Sequence, residues 1–214
     1  MIRIFDFETT PTEVCEAGWC DLKNGRITPP TSRLYGITGP IEPGARAVHH
    51  IRSEDLEGAP IFDGVPSAGV TVFAAHNASY ELQFWTPPVP VICTYKAAMR
   101  IWPDAPSHKN FAVAYWLEDR GDVVLDHAQL GKSHRAGADA YATAHILKAL
   151  MATGVTVEDM IGWAREPVLM SKIPLGKFRG ESWSAADAGY LRWMLGSDMS
   201  DDLKWNAKRE LDRR

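Results

Sequence analysis

The chain has 214 residues, of which 45% are hydrophobic and 23% charged. That is enough for a medium domain and an appendage without disulfides, and it contains no apolar run near the roughly 20 residues a bilayer crossing needs. The net charge of −4 is unfavourable for a phosphate-binding protein, yet it is unevenly spread. Residues 172–214 hold nine Lys/Arg against seven Asp/Glu, a net of +2, so residues 1–171 carry −6.

Residues 2–8, IRIFDFE, read as a buried strand. The Pro- and Gly-punctuated stretch to about residue 46 suits short antiparallel strands and turns. The N-terminus has no apolar core followed by a small-residue cleavage site, so a cytoplasmic protein is expected. Cys15, Cys20 and Cys93 form no paired CxxC sets and are expected to be reduced, partly buried thiols. Ser53 carries a helix-start signature, residues 70–75 read as a second buried strand, and residues 89–93 as a third. Thr94 is placed to cap the helix KAAMRIW, which Pro103 stops, and Asn110 to cap FAVAYWL. The alanine-rich residues 137–152 carry Ile146, Leu147 and Leu150 at helical spacing. From Lys172 a distinct segment begins, IPLGKFRGESW, ending in a basic helix-like run. Strands first, then strands alternating with helices, give an α/β class with a mixed sheet covered by helices.

Three short stretches carry chemistry. In Asp6-Phe7-Glu8, the period of two puts both carboxylates on one strand face and Phe5 and Phe7 on the other. Paired acids near a sheet centre are costly unless hard cations neutralise them; at a solvated strand end they cost nothing. In HNASYELQFW (76–85), Asn77 makes a turn and Glu81 falls in the first turn of a short helix, where an acid is favoured by the helix dipole. His76 there reads more readily as a hydrogen-bonded structural histidine than as a base. In HRAGADA (134–140), residues five apart on one helix would point about 140° away from each other. His134 and Asp139 therefore converge only if His134 sits on a loop before the helix and Asp139 in its first turns, an arrangement favoured by Gly131 and Gly137.

Taken together, the three stretches resemble the DEDDh (DnaQ-like) 3′-to-5′ exonucleases, with D-x-E matched by Asp6 and Glu8. H-N-A-x-F-D is matched in part by His76, Asn77 and Ala78, and H-x-A-x-x-D-A by His134, Ala136, Asp139 and Ala140. The sister group with Y-x-x-x-D is excluded because position 135 is Arg. AVHHIRSEDL, VICTYKAAMRIWP and the tail IPLGKFRG extend the resemblance over nearly the whole chain, towards the exodeoxyribonuclease X group. That tail favours DNA over RNA. Two positions depart from the pattern: Glu81 stands where the family has aspartate, and Pro11 where a glycine often follows the first motif.

The resemblance implies an RNase H-like mixed five-stranded sheet flanked by helices. It also implies an exonuclease domain over 1–152, a connecting helix or linker over 153–171 and a small C-terminal GKFRG-type segment over 172–214. It implies two Mg²⁺ ions, with Mn²⁺ as a substitute: Asp6, Glu8 and Asp139 hold one, Asp6 and Glu81 position the other, and His134 is the general base. DNA 3′ ends, single-stranded or duplex, are the expected partner; a homodimer is left open. Thr9 and Thr10 are candidate contacts to the terminal nucleotide, His76, Asn77 and Tyr80 further candidate nucleic-acid contacts, and Lys109, Lys132 and Arg135 candidate phosphate contacts; Lys177 and Arg179 flank Phe178 in a turn that either touches duplex DNA or docks the tail onto the nuclease domain. An RNA exonuclease of the oligoribonuclease or ribonuclease T kind is one alternative. A catalytically weakened nucleic-acid-binding protein on the same fold, suggested by Glu81, is the other.

Overall fold

The computed structural model describes residues 1–214. A mixed sheet is built from β1 (Ile2–Thr9), β2 (Val14–Lys23), β3 (Arg26–Ile27), β4 (Thr31–Leu34), β5 (Val72–Ala75) and β6 (Val91–Cys93). Its order is β3-β2-β1-β5-β6, with β4 also on β2; β1 and β2 are antiparallel, while β1–β5 and β5–β6 are parallel. The sheet thus has six strands rather than the expected five, although they fill five positions. Both β3 and β4 lie along β2, and Pro29 and Pro30, which have no N–H for a ladder, separate them.

The helices are α1 (Pro43–His49), α2 (Thr94–Ile101), α3 (Asn110–Asp119), α4 (His127–Leu130), α5 (Ala136–Ala152), α6 (Val157–Arg165), α7 (Ala188–Gly196) and α8 (Asp201–Asp212). The alternation read in β1 holds. Ile4 joins the apolar cluster that includes Ile146, Leu147 and Leu150 of α5, while Phe5 and Phe7 join a second cluster with Tyr35 and Phe73. Because α5 is buried on nearly all sides, small residues are needed where it meets the sheet. A Cβ on Gly18 of β2 would fall 2.0 Å from the carbonyl carbon of Ala136, so only glycine lets the first turn of α5 press onto the strand.

Two expected caps are corrected. Thr94 and Asn110 are the first residues of α2 and α3, not their caps, and each side chain reaches another element. The Thr94 hydroxyl donates to His76 Nδ1 (3.0 Å), and the Asn110 amide to Asp139 O (3.0 Å). These tertiary partners win over the local cap.

The C-terminal residues gather their own apolar cluster, with Ile173, Trp183, Leu191, Met194 and Leu203. Asp187 caps α7 by accepting from Tyr190 N (2.8 Å). Asn206 of α8 accepts from Met170 N and donates to Val168 O, tying the connector to the segment. Ser171 Oγ, just before the segment, donates to Pro103 O beyond the end of α2. No helix is long and apolar enough to cross a membrane.

Candidate active site

Three elements deliver the acidic side chains. Asp6 and Glu8 lie on the face of β1 that looks towards α5, Asp139 lies in the first turn of α5, and Glu81 opens a short 3₁₀ turn (Glu81–Gln83) after β5. Ile4 pairs in parallel with Ala74, so β5 stops beside the middle of β1 and the turn carrying Glu81 follows alongside its acidic half. Carboxylate oxygens of Asp6, Glu8 and Asp139 lie within 4.8 Å of one another. Glu81 stands outside that trio, yet its charge bears on Asp6.

Burial and like charge resist ionisation here. Asp6 is held well above the usual carboxylate range, first by burial and then by Asp139, Glu81, Glu8 and Glu16. Burial, then the Asp139 charge, pushes Glu8 up to about 8, and burial pushes Glu81 up to about 8. Asp139 rises only to about 6, because backbone N–H groups of His134 and Arg135 donate to it against the effect of burial. Glu81 Oε2 is buried with no hydrogen-bond partner. An all-oxygen donor set of mutually repelling acids, with an unsatisfied carboxylate oxygen beside it, fits a hard divalent cation.

His134 sits on the loop before α5, in the left-handed region at φ 62°. Its backbone N–H donates to Asp139 Oδ2 at 2.8 Å, while its side chain is exposed. His76 is the opposite. It is buried, its Nδ1 meets the Thr94 hydroxyl at 3.0 Å, its Nε2 donates to His108 O at 2.8 Å, and burial depresses its pKa to about 4. A neutral ring with both nitrogens engaged has no free nitrogen donor or acceptor.

Arg135 is likewise occupied: Nε and Nη2 donate to Glu16 Oε2 (3.0 Å) and Oε1 (2.7 Å). Thr9 Oγ1 and the Tyr80 hydroxyl share a 2.6 Å hydrogen bond, and the Thr10 hydroxyl accepts from Glu13 N (3.0 Å) within the β1–β2 turn. Thr9, Thr10, Tyr80 and Glu8 line a cavity of about 550 Å³. Asn77, exposed at φ 65°, and the exposed Lys109 line another of about 680 Å³. Lys132 is exposed. Lys177 lies 4.8 Å over the Phe178 ring, and Arg179 is exposed, in a turn bounded by Gly176 and Gly180 at positive φ.

Two functional residues escaped the sequence. Glu16, fully buried, also accepts from Ala136 N (3.1 Å) and so anchors the start of α5; it faces Glu8 across the hairpin, and that mirror position was its only signal. Asn110 touches Asp139 through its amide, with no local signature.

No protein-family model matches the chain. Exodeoxyribonuclease 10 of Escherichia coli strain K12 is 34% identical over 226 aligned positions, covering 99% of each protein. The chain belongs to the exonuclease X family of DnaQ-like exonucleases. The same protein of E. coli O6:H1 strain CFT073 matches equally. A solved exonuclease X in complex with 5′ overhanging duplex DNA superposes with a TM-score of 0.67 at 32% identity, covering 76% of this chain and 99% of that one. A full-length 3′-exonuclease at 17% identity and TM-score 0.55, covering 72% of this chain and 60% of that one, shares the fold. The sheet is that of an RNase H-like fold, and exonuclease X relatives are metal-dependent hydrolytic nucleases, in keeping with the acidic cluster.

Proposed function

We propose that this chain is a 3′-to-5′ exodeoxyribonuclease that shortens DNA by one 5′-mononucleotide at a time with two Mg²⁺ ions, which Mn²⁺ can replace. The observation that carries this reading is the meeting of Asp6, Glu8 and Asp139 within 4.8 Å on an exonuclease X-type fold. Asp6, Glu8 and Asp139 would hold one cation, Asp6 and Glu81 the other. Bound there, divalent cations supply polarisation of the phosphoryl group and charge stabilisation for the departing 3′ oxygen.

The chain's own residues do the rest. The exposed imidazole of His134 accepts the proton of the attacking water as general base. Asp139 holds the His134 loop by its backbone N–H while facing the other carboxylates. The Thr9–Tyr80 pair and Thr10 shape the cavity beside Glu8 for the terminal nucleotide, and Asn77 borders the way out. His76 and Arg135 act through what they brace, His76 through His108 and Arg135 through Glu16. The division into a nuclease domain (1–152), a connector (153–171) and a C-terminal segment (172–214) is part of the same proposal, supported by the separate apolar cluster of the last. A cytoplasmic setting suits three free, buried cysteines.

The test is a 5′-labelled DNA oligomer, and a matched RNA, incubated with Mg²⁺. A descending ladder on DNA that His134→Ala slows by about 10²-fold or more is expected. An immediate short product, faster digestion of the RNA, or tight end binding without cleavage in Mg²⁺ or Mn²⁺ would overturn the reading.

A further inference from the structure

We propose that the groove between residues 107–110 and the C-terminal segment holds the single strand of DNA that lies 5′ of the scissile phosphate. This rests on the exonuclease reading and adds a path to it. Two cavities, of about 680 and about 360 Å³, share Tyr95, Met99, His108 and Met170 and so form one continuous groove.

The groove begins two residues from Glu81. Asn77 and Ser79 line its near end, on the turn that presents Glu81. His108 and Lys109 form a wall of it, while the next residue, Asn110, donates to Asp139. His108 O is in turn held by His76. A single short segment therefore contacts a catalytic carboxylate with one residue and the groove with the two before it.

From there the groove runs to Lys172 and Arg179 in the C-terminal segment. Its floor is apolar and aromatic, with Tyr95, Met99 and Met170 all half-buried. Its rim carries Lys109, Lys172 and Arg179, all exposed and none engaged in an ion pair. The carboxylate of Asp202, the acid in the wall, accepts from Val168 N at 2.7 Å.

A floor on which bases lie beneath a cationic rim for phosphates is how sequence-tolerant single-strand sites are built. A duplex keeps its bases paired and stacked and would meet only the rim. A chain of net charge −4 needs such local concentration of cations to hold a polyanion at all.

The experiment compares wild type with Lys109→Glu/Lys172→Glu, both surface positions, with thermal melting as the folding control. It measures the cleavage-rate ratio of a single-stranded 12-mer to a dinucleotide, and the salt dependence of 12-mer binding by fluorescence anisotropy in Ca²⁺. Expected are a fall of about tenfold or more in the ratio, and a shallower log–log salt slope by about 1.4, two phosphate contacts at about 0.7 each. An unchanged ratio and slope, with wild type still degrading the 12-mer, would overturn the groove and leave the exonuclease standing. A slope loss seen equally on blunt duplex would overturn the single-strand assignment. Should wild type cleave nothing, the exonuclease reading fails, and the anisotropy slopes alone still decide whether the groove binds DNA.

Discussion

The end of β1 and the interior of the C-terminal segment both bury polar groups, but on opposite terms. Around Asp6, acids crowd together with their pKa values pushed up and Glu81 Oε2 lacks a partner. In the segment, Asn206 is just as buried, yet its amide accepts from Met170 N and donates to Val168 O and Asp202 O. One region tolerates unfavourable charge; the other pairs its buried amide and leaves only the Tyr190 hydroxyl without a partner. The difference separates a surface waiting for a cation from one that only has to fold.

The sharpest way to break that comparison is Asp6→Asn. It should lower DNA hydrolysis by about a thousandfold or more, since it removes a carboxylate assigned to both cations. It should also raise the melting temperature in EDTA, because one repelled acid is gone. A destabilised Asp6→Asn would show the acids are held by something other than a cation. Asn206→Ala should do the reverse, leaving buried backbone groups unpaired and costing about 2–3 kcal/mol in urea unfolding. A cost below about 0.5 kcal/mol would erase the contrast.

The same contrast can be read out through pH. Glu8 and Glu81, raised to about 8, stay protonated in the metal-free fold at pH values where the unfolded chain, with glutamates near 4.5, has lost those protons. The unfolded state then binds fewer protons, so stability is fully present below about 4.5 and is lost as pH rises towards about 8. Melting in EDTA from pH 5 to pH 8 should show this decline, and excess Mg²⁺ should stabilise more at pH 8 than at pH 5. A metal-free melting temperature that climbs across that window would contradict the site's electrostatics.

What the sequence revealed was local. The two-residue alternation separates Asp6 and Glu8 from Phe5 and Phe7, and the five-residue spacing requires His134 on a loop ahead of α5; both features appear as expected. What it hid depends on partners far along the chain. Glu16 and Arg135 meet across 119 residues, and Asn110 abandons a cap for an acid 29 residues away. His76 matches the family motif in sequence, but only the tertiary structure shows that Thr94 and His108 occupy both its nitrogens.

The broken strand beside β2 has a consequence for self-association. An exposed strand edge is a template on which another chain can lengthen a sheet, and long flat edges are the ones that aggregate. Here one margin is split into pieces of two and four residues by Pro29 and Pro30, and the other, β6, is three residues long. Neither margin can seed a growing intermolecular ladder, so concentrated protein should resist fibril formation.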